Sequence, residues 1–164
     1  MKNLFNIIVC FLLASGTQQV KAQKEVSVTD PHYTLTVYAS LSKSETSFDE
    51  KHPLCSSLNS SWNMFQVNYR RVSKVSTGFS GQTVEIYKPA IYNAVVKADK
   101  YIRKAVSKGE IKNDEAVAML KHILDCANAL AMERDTKTFE KDIAGAKTPD
   151  TIIRIFNNVE LQYV

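Results

Sequence analysis

Histidine is scarce in this sequence, with three in 164 residues: His32 and His52 stand beside prolines, and His122 stands apart from both. A histidine-based active site therefore has little to draw on, and no nucleophile–histidine–acid triad is visible. A serine between glycines occurs in Thr77-Gly78-Phe79-Ser80-Gly81. That stretch is one residue too short for the Gly-x-Ser-x-Gly nucleophile elbow and lacks the lysine of a phosphate-cradling loop, so it reads as a turn. Internal repeats and low-complexity tracts are missing as well. Carboxylates for acid–base work are available, as in any chain with 17 acids. Glu133 and Asp135 are two apart and diverge on a helix. Glu115, His122 and Glu133 share a helix side, but the intervals of roughly 10 and 16 Å of rise put them beyond hydrogen-bond reach.

Long apolar runs are absent apart from Leu4–Ala14, which only Asn6 interrupts. It is well short of the ~20 residues that cross a bilayer, so no membrane span is expected. Lys2 ahead of it and Val20-Lys21-Ala22 behind it complete the pattern of a secretory leader cut before Gln23. Cys10 follows Val9, where a lipid-attachment motif needs a small residue, so this cysteine is expected to leave with the leader. The reading is of an exported protein, periplasmic or extracellular, with residues 1–22 as signal peptide. The remainder, about 140 residues, is enough for one domain with a sizeable core. The leader carries Lys2 and Lys21 and no acid, so export lowers the net charge of +4 by two. Near-neutrality gives no footing for a nucleic-acid partner, and no cofactor motif is present.

What remains is a pair of cysteines and a set of helical patterns. Cys55 and Cys126 in an oxidising compartment are expected to form a disulfide. Closing a loop of about 70 residues would stabilise the fold by roughly 4 kcal/mol in the chain-entropy model. His52 lies near Cys55, and His122 lies four before Cys126. On paper this is a Cys2His2 zinc set, weighed below the disulfide.

Residues 23–57 read as an irregular arm, where the alternation Tyr33-Thr-Leu-Thr-Val-Tyr38 favours one short strand and Ser42–Ser57 reads as loop. Asn59-Ser60-Ser61 is a glycosylation sequon, meaningful only in a host that uses it. Residues 58–164 read as a helical domain. Leu58, Trp62, Phe65, Tyr69 and Val72 recur at helical spacing, although the β-rich run Val67–Val75 competes with it. Pro89 suits a helix start, Ile91, Val95, Ala98, Ile102 and Ala105 follow on one face, and Gly109 stops the helix. Asn113 caps a second helix with Ala116, Leu120, Ile123, Ala127 and Leu130 inward and Cys126 at the edge. A shorter helix around Phe139–Ala144 ends at Gly145. Thr148-Pro149-Asp150 then opens a last helix with Ile152, Ile153, Phe156 and Val159 buried. The two short helices read as a packing corner rather than a DNA-reading motif. The fold expected is all-α, a small helical bundle built on an antiparallel helical hairpin.

Lys97, Lys100, Arg103, Lys104 and Lys108 form a basic stripe on the first hairpin helix, with Asp99 inside it. Such a stripe is ordinarily a solvated face and alternatively a docking surface for an acidic partner. Tyr33, Tyr38, Trp62 and Tyr69 read as core aromatics, or as binding groups where exposed. Two functions follow: an exported interaction or accessory module for another protein of the envelope or exterior, or a small exported enzyme whose acid or base comes from residues distant in sequence. The leader reading has a direct check. The intact mass of the exported protein is expected to correspond to a chain beginning at Gln23, without lipid; retention of residues 1–22 would refute it.

Overall fold

The computed structural model describes residues 33–37, 51–74 and 82–163, and the readings made on 1–32, Tyr38, 42–50 and 77–81 lie outside them. The described chain is mostly helical: α1 (Asn59–Tyr69), α2 (Pro89–Ser107), α3 (Asn113–Met132), α4 (Lys137–Gly145) and α5 (Pro149–Asn157). Four short strands accompany them: β1 (Tyr33–Val37), β2 (Arg70–Lys74), β3 (Gln82–Ile86) and β4 (Val159–Tyr163). Among the described residues no helix is long and apolar enough to cross a membrane.

The helix borders follow local chemistry. Pro89 occupies the first turn of α2, where its missing N–H costs nothing. Gly109, at φ +72°, takes the left-handed turn that ends the helix. Thr148 caps α5 by accepting the Thr151 N–H at 3.3 Å, and Pro149 and Asp150 follow as expected. Lys112, rather than Asn113, is the residue outside α3, and Asn113 is its first helical residue.

α3 is the helix on which the others converge: α1, α2, α5, β1 and β4 all pack on it. Ala116, Leu120, Ile123, Ala127 and Leu130 are buried as the periodicity predicts, and Leu124 and Ala129 extend the apolar surface. α2 answers with Ile91, Val95, Ala98, Ile102 and Ala105, all buried. Phe65 of α1 lies parallel to Tyr92 of α2, with ring centroids 5.4 Å apart, in the offset stack that aromatic quadrupoles favour. Tyr69 is fully buried, and its hydroxyl donates to the Ala127 carbonyl at 2.6 Å. Burial pushes its ionisation far above the usual phenol range.

Two expectations about these elements are corrected and one is met. Val72 is not on α1, because the helix stops at Tyr69 and the β-rich run after it pairs antiparallel with β3, Val72 opposite Val84. Val159 is not on the last helix either; α5 ends at Asn157 and Val159, still buried, opens β4. The strand expected at Tyr33 exists, and β4 is its partner, parallel, with Tyr33 opposite Val159 and Val37 opposite Tyr163. Leu35 then points into the core. The Tyr33 hydroxyl donates to the Asp142 carboxylate at 2.6 Å, and its ring meets Phe139 edge-on.

The far end of α3 is closed by a lysine. Lys88 is nearly buried at φ +47°, a backbone region costly for a residue with a Cβ. Its ammonium donates to the carbonyls of Leu130 (2.7 Å) and Glu133 (2.9 Å), at the negative end of the helix dipole. The Tyr87 ring lies under the same ammonium. Lys88→Met keeps the stem and removes the donors, so it is expected to lower stability by about 1–3 kcal/mol. In urea unfolding the midpoint should fall with the slope unchanged; an unchanged midpoint would show that the cap contributes nothing.

Candidate functional site

The two cysteines do not form the expected bridge: both are free thiols. Cys55 precedes a single 3-10 turn at Ser56–Leu58 and caps it, its sulfur 3.0 Å from the Ser57 hydroxyl and accepting the Ser57 N–H at 3.4 Å. Cys126 is fully buried on the side of α3 that faces α5, with the Phe156 carbonyl 3.8 Å from its sulfur. The two sulfurs thus serve different neighbours. Their acidities diverge accordingly. The Ser57 hydroxyl, followed by its N–H, holds the Cys55 thiol below the ordinary range. Burial, aided by the Asp125 charge, pushes Cys126 up to about 12.

The paper Cys2His2 set is likewise divided. His122 puts Nε2 3.0 Å from the Phe156 carbonyl and 3.5 Å from the Cys126 sulfur, so the ring nitrogen is engaged by backbone. His52 turns the other way, toward α2. Among the described residues no group of three or more His, Cys, Asp or Glu is placed to hold a metal ion.

His52 belongs to a buried polar group. Its side chain has no exposure, and Nε2 lies 2.9 Å from Oδ1 of Asp99, whose own side chain is 5% exposed. The second carboxylate oxygen of Asp99 meets Arg103 at 2.8 Å. Nδ1 of His52 accepts the Leu54 N–H at 3.3 Å, and the His52 N–H donates to the Asn59 side chain at 2.7 Å. Trp62 packs edge-on against the imidazole, centroids 5.1 Å apart. Asp99 lies four residues after Val95 and three before Ile102, which puts it beside the apolar face of α2, and that spacing was the signal available in the sequence. The loop reading of residues 42–57 hid its partner.

The basic stripe is where its spacing predicts. Lys97, Lys100, Arg103, Lys104 and Lys108 are all exposed along α2. Arg103 is tied to Asp99 and Lys108 pairs with Glu110 at 3.3 Å. No carboxylate among the described residues pairs with Lys97, Lys100 or Lys104. Val96 stands within this face, 38% exposed. Of the aromatics proposed for binding, Tyr69 is core and Tyr33 and Trp62 are half-buried. Glu115 is exposed at one end of α3. Asn59 of the sequon is the first residue of α1; its side chain holds His52, and the Ser61 hydroxyl donates to Asp125 at 2.9 Å.

No family model, no curated protein and no solved structure matches this chain.

The two thiols make a sharp pair of expectations. Under native conditions an alkylating reagent should modify Cys55 alone, and its rate should rise with pH along a curve displaced to lower pH than that of a free cysteine. Cys126 should react only after unfolding. Intact masses before and after denaturant read this directly: one adduct and then two. No adduct in either state would mean that the thiols are oxidised.

Proposed function

We propose that this chain is an exported, small helical interaction module of the cell envelope or exterior, which docks an acidic protein surface on the cationic face of α2. The export half rests on the leader pattern of residues 1–22. The docking half rests on one observation: Lys100, Lys104 and Lys108 form an uninterrupted i,i+4 ladder of like charge, with Lys97 and Arg103 beside it, on the exposed side of a helix whose other side is core. Like charges at this spacing each destabilise a helix by about 0.2–0.5 kcal/mol. A face that only needed to be solvated is served better by interleaved acids. Val96 adds an apolar contact within the cationic face, as interfaces combine the two.

The helix itself is a rigid platform. This reading takes α2 and α3 as an antiparallel hairpin joined at Gly109, with α3 holding α2 from behind. The buried polar groups support binding over catalysis. His52, Asp99, His122 and Cys126 are each engaged by neighbours of the fold, which leaves no open acid, base or nucleophile among them.

The test uses the mature protein as bait on exported and envelope fractions, with bound proteins identified by mass spectrometry. Lys100→Glu with Lys104→Glu should lower capture of an acidic partner at least about tenfold. Lys137→Glu with Lys141→Glu, on α4, should leave it unchanged. Capture by wild type should also fall with added salt. Equal capture by both double variants, each folded by circular dichroism, would remove the α2 face from consideration.

A further inference from the structure

The hydrogen bonds around His52 require one protonation state. Nδ1 accepts the Leu54 N–H, so it carries no proton; Nε2, 2.9 Å from the Asp99 carboxylate, carries the only one. The ring is therefore a neutral imidazole acting as donor on one side and acceptor on the other. Each bond has a distinct role. The Asp99 bond anchors the segment to α2, and the Leu54 bond shapes the approach to the turn that Cys55, the next residue, caps. Among the described residues the charged and titratable groups around it are few. α2 brings Asp99 and Arg103, α1 brings Asn59 and Trp62, which do not titrate, and the segment itself contributes Lys51 and Cys55.

We infer that His52 is a pH-sensitive latch for the segment Lys51–Leu58. A second proton on the ring must go to Nδ1, since Nε2 already has one. The new N–H points at the Leu54 N–H, two donors facing each other in a site without exposure. The Leu54 amide loses its acceptor and the backbone there must turn away. The Nε2 bond to Asp99 does not break on protonation, because an imidazolium remains a donor and the carboxylate remains its acceptor. Arg103 keeps its oxygen of Asp99 as well. Acid thus acts on one side of the ring only. It loosens the turn that presents Cys55 and leaves the helical body in place. Among the five cations of the α2 face, Arg103 alone shares a partner with the latch. The device stands whether or not that face docks a partner.

The chain carries its own reporter, a single tryptophan, Trp62, packed against the imidazole. Its fluorescence, followed on the mature protein from about pH 8 to about pH 4.5, spans the range in which imidazoles take up protons. A one-proton transition is expected, with the far-ultraviolet circular dichroism unchanged across it. His52→Gln should abolish the transition and His122→Gln should retain it. Exchange of the Leu54 amide should quicken at least about tenfold across the same transition, beyond the intrinsic pH effect, as expected for a lost hydrogen bond. If His52→Gln does not fold, nitrogen chemical shifts of the wild-type ring decide instead: the proton must be on Nε2 at pH 8 and on both nitrogens at the acid end. A transition that survives in His52→Gln, no transition in the wild type, or a proton on Nδ1 at high pH would each overturn the proposal.

Discussion

The second half of α3 cannot be left with a bare side, and the rest of the molecule is arranged by that constraint. Its buried residues run from Ala116 to Leu130 and, in the second half, include every position from Cys126 to Leu130. Five consecutive buried residues cover the whole circumference of a helix at 100° per residue. One neighbouring helix covers only a stripe, so several elements are needed. α1, α2 and α5 supply three of them, and β1 with β4 supplies another. Each fully buried Leu or Ile contributes about 1.5–3 kcal/mol, which makes covering this helix a large favourable contribution to the fold.

A helix enclosed in this way buries polar groups along with apolar ones, and their needs decide how the neighbours sit. Asn128 is almost fully buried; its amide donates to the Ser61 carbonyl at 3.1 Å and its oxygen accepts from Asn68 at 3.0 Å. Ser61 also reaches Asp125, and Tyr69 reaches the Ala127 carbonyl. These bonds touch α1 at both ends. Sliding α1 by one turn along α3 would break them together, and each buried group left unpaired costs about 1–3 kcal/mol. Apolar contact holds α1 and α3 together; the asparagines and the tyrosine fix their register. Lys88 does the same for the chain leaving β3, at the price of a left-handed backbone at a residue with a Cβ.

Legibility in the sequence followed the same division. Where apolar spacing alone decides the outcome, in α2 and α3, the stripes, the proline start and the glycine stop were all readable. β1 was readable from its alternation. β4 carries a similar alternation, Val159-Glu-Leu-Gln-Tyr163, but it follows a helix whose stripe Val159 also continues, and the pairing across the whole chain that decides between them is invisible locally. The site suffered more. A disulfide is a sound expectation for two cysteines in a chain read as exported, yet spacing says nothing of direction, and Cys126 faces Phe156 while Cys55 caps its own turn. His52 and Asp99 are 47 residues apart in sequence. The irregular segment around His52 has no period, so nothing local announces that its histidine enters the core, although the position of Asp99 beside an apolar stripe implies that some donor must reach it.

The cations of α2 illustrate how far helix physics alone goes. Lys104 and Lys108 stand at the C-terminal end, where the macrodipole stabilises positive charge by about 0.3–1 kcal/mol. That effect decays within the last turn, so it accounts for those two and not for Lys97 or Lys100. Asp99 accounts for Arg103, because a carboxylate this buried needs a cation as well as the His52 donor. Lys97 and Lys100 remain, with no acid paired to either among the described residues and with Lys100 facing Lys104 one turn on. Neither capping, nor the dipole, nor neutralisation of a buried charge calls for them. Their placement next to exposed Val96 is the part of the stripe that the proposed partner would explain and the fold does not.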